Sequence, residues 1–362
     1  MAEPVKKLKT TNPLIGTHNG HFHADEALAI YLLRLLPLYS SSPLLRSRDP
    51  AQLATCHTVV DVGGEYDPST NRYDHHQRTF STTFPNHNTK LSSAGLVYMH
   101  FGRAIIAQQT AWPLDHDNVS ILYEKLYTDF IEAIDANDNG VSVTDPTALS
   151  EAGIEKRFKD FGLTIPSIVG DMNRNRAGED LDEDALFEKA SRFIGDVFAH
   201  KLHLANSLWL PARTTVKNAY ATRKEVHPSG RVMVLPQSGT PWKEHLYGCE
   251  KEEAGKEVAP GEAAEDHCKV YYVLYPESAA EDAKWRVQCV PVTESSFESR
   301  RPLPEAWRGV RDEDLDKVMN DDAEKSGKAK IPEGAVFVHA SGFIGGHKTK
   351  EGAYAMASRS LE

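Results

Sequence analysis

The stretch that most narrows what this chain can become is His18-Asn19-Gly20-His21-Phe22-His23-Ala24-Asp25-Glu26, which packs three imidazoles and two carboxylates into nine residues. A β-like run, Leu14 to Thr17, precedes it, and a helical pattern, Ala24 to Leu36, follows. A strand-to-helix turn of this kind lets the side chains converge with little backbone motion. Imidazole with carboxylate suits manganese, iron, zinc or cobalt, whereas magnesium prefers more oxygens. Asp25 or Glu26 alone would read as an acidic residue favouring a helix N-terminus. The whole cluster reads as a metal site, with His21 its optional member.

Three further clusters carry the same chemistry. In Val59-Val60-Asp61-Val62-Gly63-Gly64, an aspartate ends a β-branched run, which places it at the carboxyl edge of a sheet, where a bridging metal ligand usually stands. Gly63 and Gly64 allow close backbone approach. In Tyr73-Asp74-His75-His76-Gln77, adjacent histidines point in different directions, so one can ligate a metal while the other faces a phosphate. Asp74 is placed to orient His75. In Ile134-Asp135-Ala136-Asn137-Asp138-Asn139-Gly140, the spacing brushes against a calcium loop but lacks its closing glutamate. Asp135, at the end of a helical run, is the better candidate ligand, and Asp138 the residue that serves the turn.

The surrounding pattern is α/β. Short strands at Leu14–Thr17 and Thr58–Val62 alternate with helical patterns at Ala24–Leu36, Ser92–Phe101 and Ile121–Ala136, the signature of a parallel sheet. Open sheets of this class place ligands at the carboxyl ends of their strands. Apolar residues recurring at Leu186, Ala190, Phe193, Val197 and Leu204 describe one long amphipathic helix over Asp182–Leu208, behind a polar linker, Asp171–Asp184. Arg231–Leu235, Val270–Leu274 and Trp285–Val290 then read as strands of a mixed second domain. Glu250–Asp266 reads as an acidic loop, and Asp312–Lys330 as a charged surface segment with a short helix anchored by Leu315 and Val318. The division expected is a flexible tail over residues 1–12, a metal-binding catalytic domain over 13–180, a connecting helical segment over 181–225 and a smaller mixed α/β C-terminal domain over 226–362.

Composition limits the function classes. A net charge of -11 argues against a broad basic surface for duplex nucleic acid, though bound cations would supply positive charge where a nuclease needs it. No apolar run reaches the roughly 18 residues of a membrane span, and no apolar segment of a secretory leader follows the N-terminal lysines. Those lysines read as a basic tail, with a nuclear signal as the alternative. Cys56, Cys249, Cys268 and Cys289 form no paired motif, which fits a reducing compartment. No G-x-G-x-x-G follows a strand, so a dinucleotide site is excluded. Near the C-terminus, His339-Ala340-Ser341-Gly342-Phe343-Ile344-Gly345-Gly346-His347-Lys348 combines exposed amides with His and Lys, a cradle for phosphate. His339, Ser341, Gly345, Gly346, His347 and Lys348 are the candidate contacts, with Arg300 as a further anion ligand. A structural hairpin is the alternative reading.

His18…His23-x-Asp25, Asp61, Asp74-His75-His76 and Asp135 occur in the order of the four motifs of the DHH phosphoesterase superfamily. With Gly16–Gly20, Val62–Pro68, Tyr73–Arg78, Lys90–Gly95, Trp242–Tyr247 and His339–His347, the chain resembles the eukaryotic melanocyte-proliferating-gene exonuclease family from about residue 13 to its end. The resemblance implies a 3′-to-5′ exonuclease of single-stranded RNA, in nucleus or mitochondrion, with a DHH-type parallel-sheet N-terminal domain and its active site in an interdomain cleft. It implies two divalent ions, manganese with magnesium as the alternative, held by His18, His23, Asp25, Asp61, His75 and Asp135. His76, supported by Asp74, would then contact the scissile phosphate or protonate the leaving group. A phosphohydrolase of small molecules, and a silent metal-binding regulator, are the rival readings.

Overall fold

Strands β1 (Ile15–Thr17), β2 (Leu44–Arg46), β3 (Thr58–Val60), β4 (Tyr66–Asp67) and β5 (Arg72–Tyr73) form one sheet in the order β2-β1-β3-β5-β4. The first four of that order run parallel, and β4 closes the edge antiparallel to β5. The computed structural model describes residues 12–155, 161–174, 182–255 and 267–362. The chain divides into two compact units between Asn206 and Ser207.

The helix Ala24–Arg34 is the centre of the first unit. Its sequence is apolar nearly all round, and such a helix belongs in an interior. Ala27 to Ile30, Leu32 and Leu33 have no exposed surface. It packs against the helices Ser93–Thr110 and Glu183–Leu204. The latter is the expected long amphipathic helix, ending in a π turn, Ala205–Trp209. The helical run expected over Ile121–Ala136 spans Asp117–Leu126, a π segment Tyr127–Ile131, and Glu132–Asp138.

The second unit is a mixed sheet, β6 (Val232–Val234), β7 (Tyr272–Pro276), β8 (Trp285–Cys289), β9 (Ala335–Val338) and β10 (Ile344–His347), in the order β6-β7-β8-β10-β9. Only the β6–β7 pair is parallel. Side chains alternate between faces with the period of two that strands impose. Val232, Tyr272 and Leu274 join Trp307, Leu315, Met319 and Met356 on one side, while Met233 and Val273 join Val216, Trp242 and Leu246 on the other. The charged segment Asp312–Ser326 is therefore a helix whose Leu315 and Met319 lie fully buried, more than a surface ornament. The start of the expected acidic loop is helical, within Lys243–Ala254; residues 256–266 lie outside the described residues, as does 175–181 of the expected linker. Among the described residues no helix is long and apolar enough to cross a membrane.

Candidate metal centre

The carboxyl ends of β1, β3 and β5 are neighbours in the sheet, and each delivers one cluster. His18 follows β1, Asp61 follows β3, and Asp74-His75-His76 follow β5. β3 stops short of the expected Val62 because Asp61 adopts a left-handed backbone, φ 57, which aspartate tolerates better than most residues. Its N–H still reaches Tyr73 O at 3.2 Å, so its carboxylate is turned out of the sheet on a tethered backbone. The loop after β1 is pinned as well. Arg46 of β2 donates to Gly20 O at 2.6 Å and lies over the rings of Phe22 and Phe187. Asn173 brackets the Phe22 backbone, accepting from its N–H at 2.9 Å and donating to its carbonyl at 2.8 Å.

These supports bring buried imidazoles against buried carboxylates. His18 Nε2 lies 3.1 Å from Glu26 Oε1 and 3.4 Å from Asp61 Oδ2. His75 Nε2 lies 3.0 Å from Asp138 Oδ2, 3.4 Å from Asp61 Oδ1 and 4.0 Å from Asp25 Oδ2. Three groups result whose donor atoms fall within 4.8 Å of one another: His18, His23, Glu26 and Asp61; Asp61, His75 and His76; Asp25, His75 and Asp138. Burial disfavours charge on both histidines, yet the facing carboxylates outweigh it and push each imidazole up to about 10. Asp61, buried but facing both, is held well below the usual carboxylate range. Burial and the charges of Asp138 and Asp61 drive Asp25 well above it.

The donors fit a divalent cation. Neither ring nitrogen of His75 makes a hydrogen bond, nor does Oε2 of Glu26, although all three atoms are buried. Unpaired buried polar atoms are costly and uncommon, and here they sit among other carboxylates and imidazoles with metal-binding donors. Glu26 Oε1 also accepts from the His23 N–H at 2.8 Å, so this residue caps its helix and joins the cluster at once.

Two carboxylates exchange the roles expected of them. Asp135 is fully buried and belongs to none of the three groups. It accepts from Ser92 N at 3.0 Å and from Tyr127 OH at 3.0 Å, and its Oδ1 lies 2.6 Å from Ser92 Oγ. Burial pushes it up to about 7 despite these bonds. Asp135 therefore anchors the start of the Ser93–Thr110 helix, and Asp138, one turn on, faces His75. Asp25 shares that helix start, accepting from Ser93 N at 3.0 Å and Ala94 N at 2.6 Å. The motif Ser92-Ser93-Ala94-Gly95 thus seats two carboxylates on a helix N-terminus, whose free N–H groups favour negative charge. Gly95 is required there, because a Cβ would collide with the Asp135 carboxylate.

Asp74 orients His76 where His75 was expected. Its Oδ1 lies 2.6 Å from His76 Nδ1, and its oxygens accept from the N–H groups of Gly64 at 2.6 Å and His75 at 2.7 Å. These contacts outweigh its burial and hold it below the usual range. With Nδ1 tied to Asp74, the exposed His76 ring has its other nitrogen free. His18, His23, Asp61, Asp74, His76 and Asp138 all line one cavity of about 490 Å³ within the first unit.

The C-terminal cluster does not form the expected phosphate cradle. His347 has no exposed surface; its Nε2 lies 3.0 Å from Pro332 O, and Thr349 N donates to its Nδ1 at 3.0 Å. Gly345 and Gly346 are interior residues of β10, where a Cβ at Gly346 would strike the Arg286 guanidinium. Arg300 forms a two-pronged pair with Glu250, at 2.7 and 2.8 Å, both side chains nearly buried. His339 and Ser341 are exposed and bond each other at 3.0 Å in the turn between β9 and β10, and Lys348 is exposed just after β10. The structural hairpin is the reading this geometry supports for Gly345, Gly346 and His347, and a buried ion pair with Glu250 is what it shows for Arg300.

A family model matches nearly the whole chain, both units included. The MYG1 exonuclease model, described as an uncharacterised protein family (UPF0160), covers residues 14–361. The chain belongs to the MYG1 exonuclease family. It is 45% identical over 355 residues to the MYG1 exonuclease of Homo sapiens, covering 96% of this chain and 86% of that one. A MYG1 protein of Saccharomyces cerevisiae is 42% identical over 363 residues, covering 99% of each chain. One of Dictyostelium discoideum is 41% identical over 352 residues, covering 96% of each. No solved structure matches the chain. Outside the ligand set that the resemblance implies stand Glu26, counted in the first cluster but read on its own as a helix-end residue, and Asp138, read as serving the turn; Ser92 and Ser93 had as their only signal their place in the Lys90–Gly95 motif.

Proposed function

We propose that this chain is a metal-dependent phosphodiesterase of the DHH type, a 3′-to-5′ exonuclease acting on single-stranded RNA in the nucleus or mitochondrion. The observation that carries the reading is Asp61, whose two oxygens face two different buried imidazoles, Oδ2 towards His18 and Oδ1 towards His75, each at 3.4 Å. A carboxylate so placed is suited to bridge a pair of cations. His18, His23, Glu26 and Asp61 would hold one ion, and Asp25, Asp61, His75 and Asp138 the other, with manganese matching the mixed nitrogen and oxygen donors. When bound, such a pair supplies an activated water and the positive charge that an in-line displacement at phosphorus needs.

The chain's own groups do the rest. Asp74 fixes the His76 ring through Nδ1 and raises its proton affinity, so the ring lining the cavity is held as an imidazolium that donates its Nε2 proton to a phosphate oxygen or to the departing oxygen. Ser93 Oγ, 3.2 Å from Asp61 Oδ1, restrains the bridging carboxylate. The relatives named exonucleases in human, mouse and rat support a nuclease over other phosphoesterases. Among the described residues lining the cavity there is one arginine and no lysine, which disfavours pyrophosphate with its several negative charges.

The test is to incubate the purified protein with manganese and, in parallel, RNA and DNA labelled at either end, pyrophosphate and a nucleoside bisphosphate. RNA shortened stepwise from its 3′ end, and abolished by chelation, is the expected result. Faster turnover of either small molecule, or cleavage that survives chelation, overturns the proposal.

A further inference from the structure

Arg48 plays no part in the centre described so far, yet it lines the same cavity. It lies just past β2, the strand next to β1, as His18 lies just past β1 and Asp61 just past β3. The carboxyl edge of the sheet therefore carries Arg48, His18, Asp61 and the His75–His76 pair in that spatial order. Its backbone is held firmly: Ser47 N donates to Thr17 O at 2.8 Å, and Asp49 N donates to Ser47 Oγ at 3.1 Å. The neighbouring carboxylate of Asp49 is occupied, accepting from Ala51 N at 2.9 Å. The Arg48 side chain is exposed and has no ion pair or hydrogen bond among the described residues. It is the one Arg or Lys among the described residues that line the cavity.

Resting on the reading above, we propose that Arg48 binds the backbone phosphate next to the scissile one in an oligonucleotide. Strands stand about 4.8 Å apart, so β2 is roughly 10 Å from β3 along the edge. A cation two strands away from Asp61 on the wall of the same cavity is placed for a phosphate other than the reacting one, and the neighbouring phosphate of the chain is the first available. The planar guanidinium takes a phosphate two-pronged, which a lysine cannot do. The residue thereby distinguishes a polymer from a substrate that carries a single diester.

The experiment compares Arg48→Ala and Arg48→Lys with wild type on a short oligoribonucleotide and on bis(p-nitrophenyl) phosphate, which has one diester and no neighbour. Arg48→Ala should lower kcat/KM on the oligonucleotide roughly ten- to a hundredfold, chiefly through KM. Its loss on the single diester should be at least about tenfold smaller. The dependence of oligonucleotide kcat/KM on salt should become shallower by about one counterion, and Arg48→Lys should restore that slope but only part of the affinity. Anisotropy of a labelled oligonucleotide in EDTA, where nothing turns over, should show weaker binding by Arg48→Ala as well. Equal losses on both substrates, or none on the oligonucleotide, overturn the assignment. Wild-type protein that cleaves the single diester and leaves the oligonucleotide intact overturns the nuclease reading itself.

Discussion

Asp135 and Asp138 lie one helical turn apart and should fail in opposite ways. Replacing Asp135 by alanine leaves the Ser92 N–H and the Tyr127 hydroxyl, both on residues with no exposed surface, without an acceptor. Each such orphan costs about 1–3 kcal/mol, so the unit loses about 2–6 kcal/mol, a large part of the 5–15 kcal/mol that holds a typical domain folded. At about 2–4 °C per kcal/mol for a unit of this size, the midpoint should fall by roughly 10 °C. Asp138 has a side chain 17% exposed and, among the described residues, accepts from no helix-start N–H; its one close partner there is His75, 3.0 Å away, and its charge helps to push the Asp25 carboxyl up. Asp138→Ala should therefore melt lower than wild type in EDTA by less than Asp135→Ala does, losing the His75 contact and relieving Asp25. It should instead weaken manganese binding by more than the roughly 10- to 100-fold that losing a residue behind a ligand costs. Calorimetric melting with and without manganese, together with metal titration, reads both effects. An Asp135→Ala protein with wild-type melting and lost metal, or an Asp138→Ala protein with undiminished affinity, refutes the exchange of roles.

Two other outcomes follow from the same geometry. His76→Ala should keep its metal content while turnover falls roughly 10²- to 10⁴-fold, and Asp74→Asn should fall in the same direction by misaligning that ring; elemental analysis beside steady-state kinetics checks both. Arg300→Ala breaks a buried pair and should cost about 3–5 kcal/mol, and His347→Ala should also lower the melting temperature because Thr349 N loses its acceptor. Neither should change kcat/KM once folded; a kinetic defect without a melting defect would return these residues to the substrate.

What could be read from the chain and what could not divides along physical lines. The placing of His18 and Asp61 at strand ends was legible because each directly follows a run that reads as a strand of a parallel sheet, where position and residue type together fix the direction of the side chain; His75 was marked by its adjacent histidine and its nearness to Asp61 in sequence. The helix Glu183–Leu204 was legible from its apolar period alone. The choice between Asp135 and Asp138 was not, because the π segment Tyr127–Ile131 shifts the phase of the helical run that carries them, and spacing counted at 3.6 residues per turn misses that shift. Strands β2, β4 and β5, two or three residues each, are too short to show a period, so the row on which Arg48 stands stayed hidden. The C-terminal glycines and His347 have the composition of an anion loop; only the Pro332 and Thr349 backbone and the Arg286 side chain, distant in sequence or set by the fold, make them interior. In Asp312–Ser326 Leu315 was legible as an anchor, but the charges masked Met319, four residues on along the same face, and with it how deeply the helix is seated.

The central claim is that one carboxylate, Asp61, serves two cations. An asparagine in its place would keep the shape of the side chain and tolerates the left-handed backbone at φ 57, so Asp61→Asn removes the charge with the least disturbance of the fold. The decisive measurement is the manganese content per folded chain of wild type and Asp61→Asn by elemental analysis, on samples also assayed with end-labelled RNA. Two ions per wild-type chain, at least one of them lost in the variant, and turnover down by several orders of magnitude are the expected results. A folded Asp61→Asn protein that binds the same number of ions and digests RNA at the wild-type rate contradicts the account.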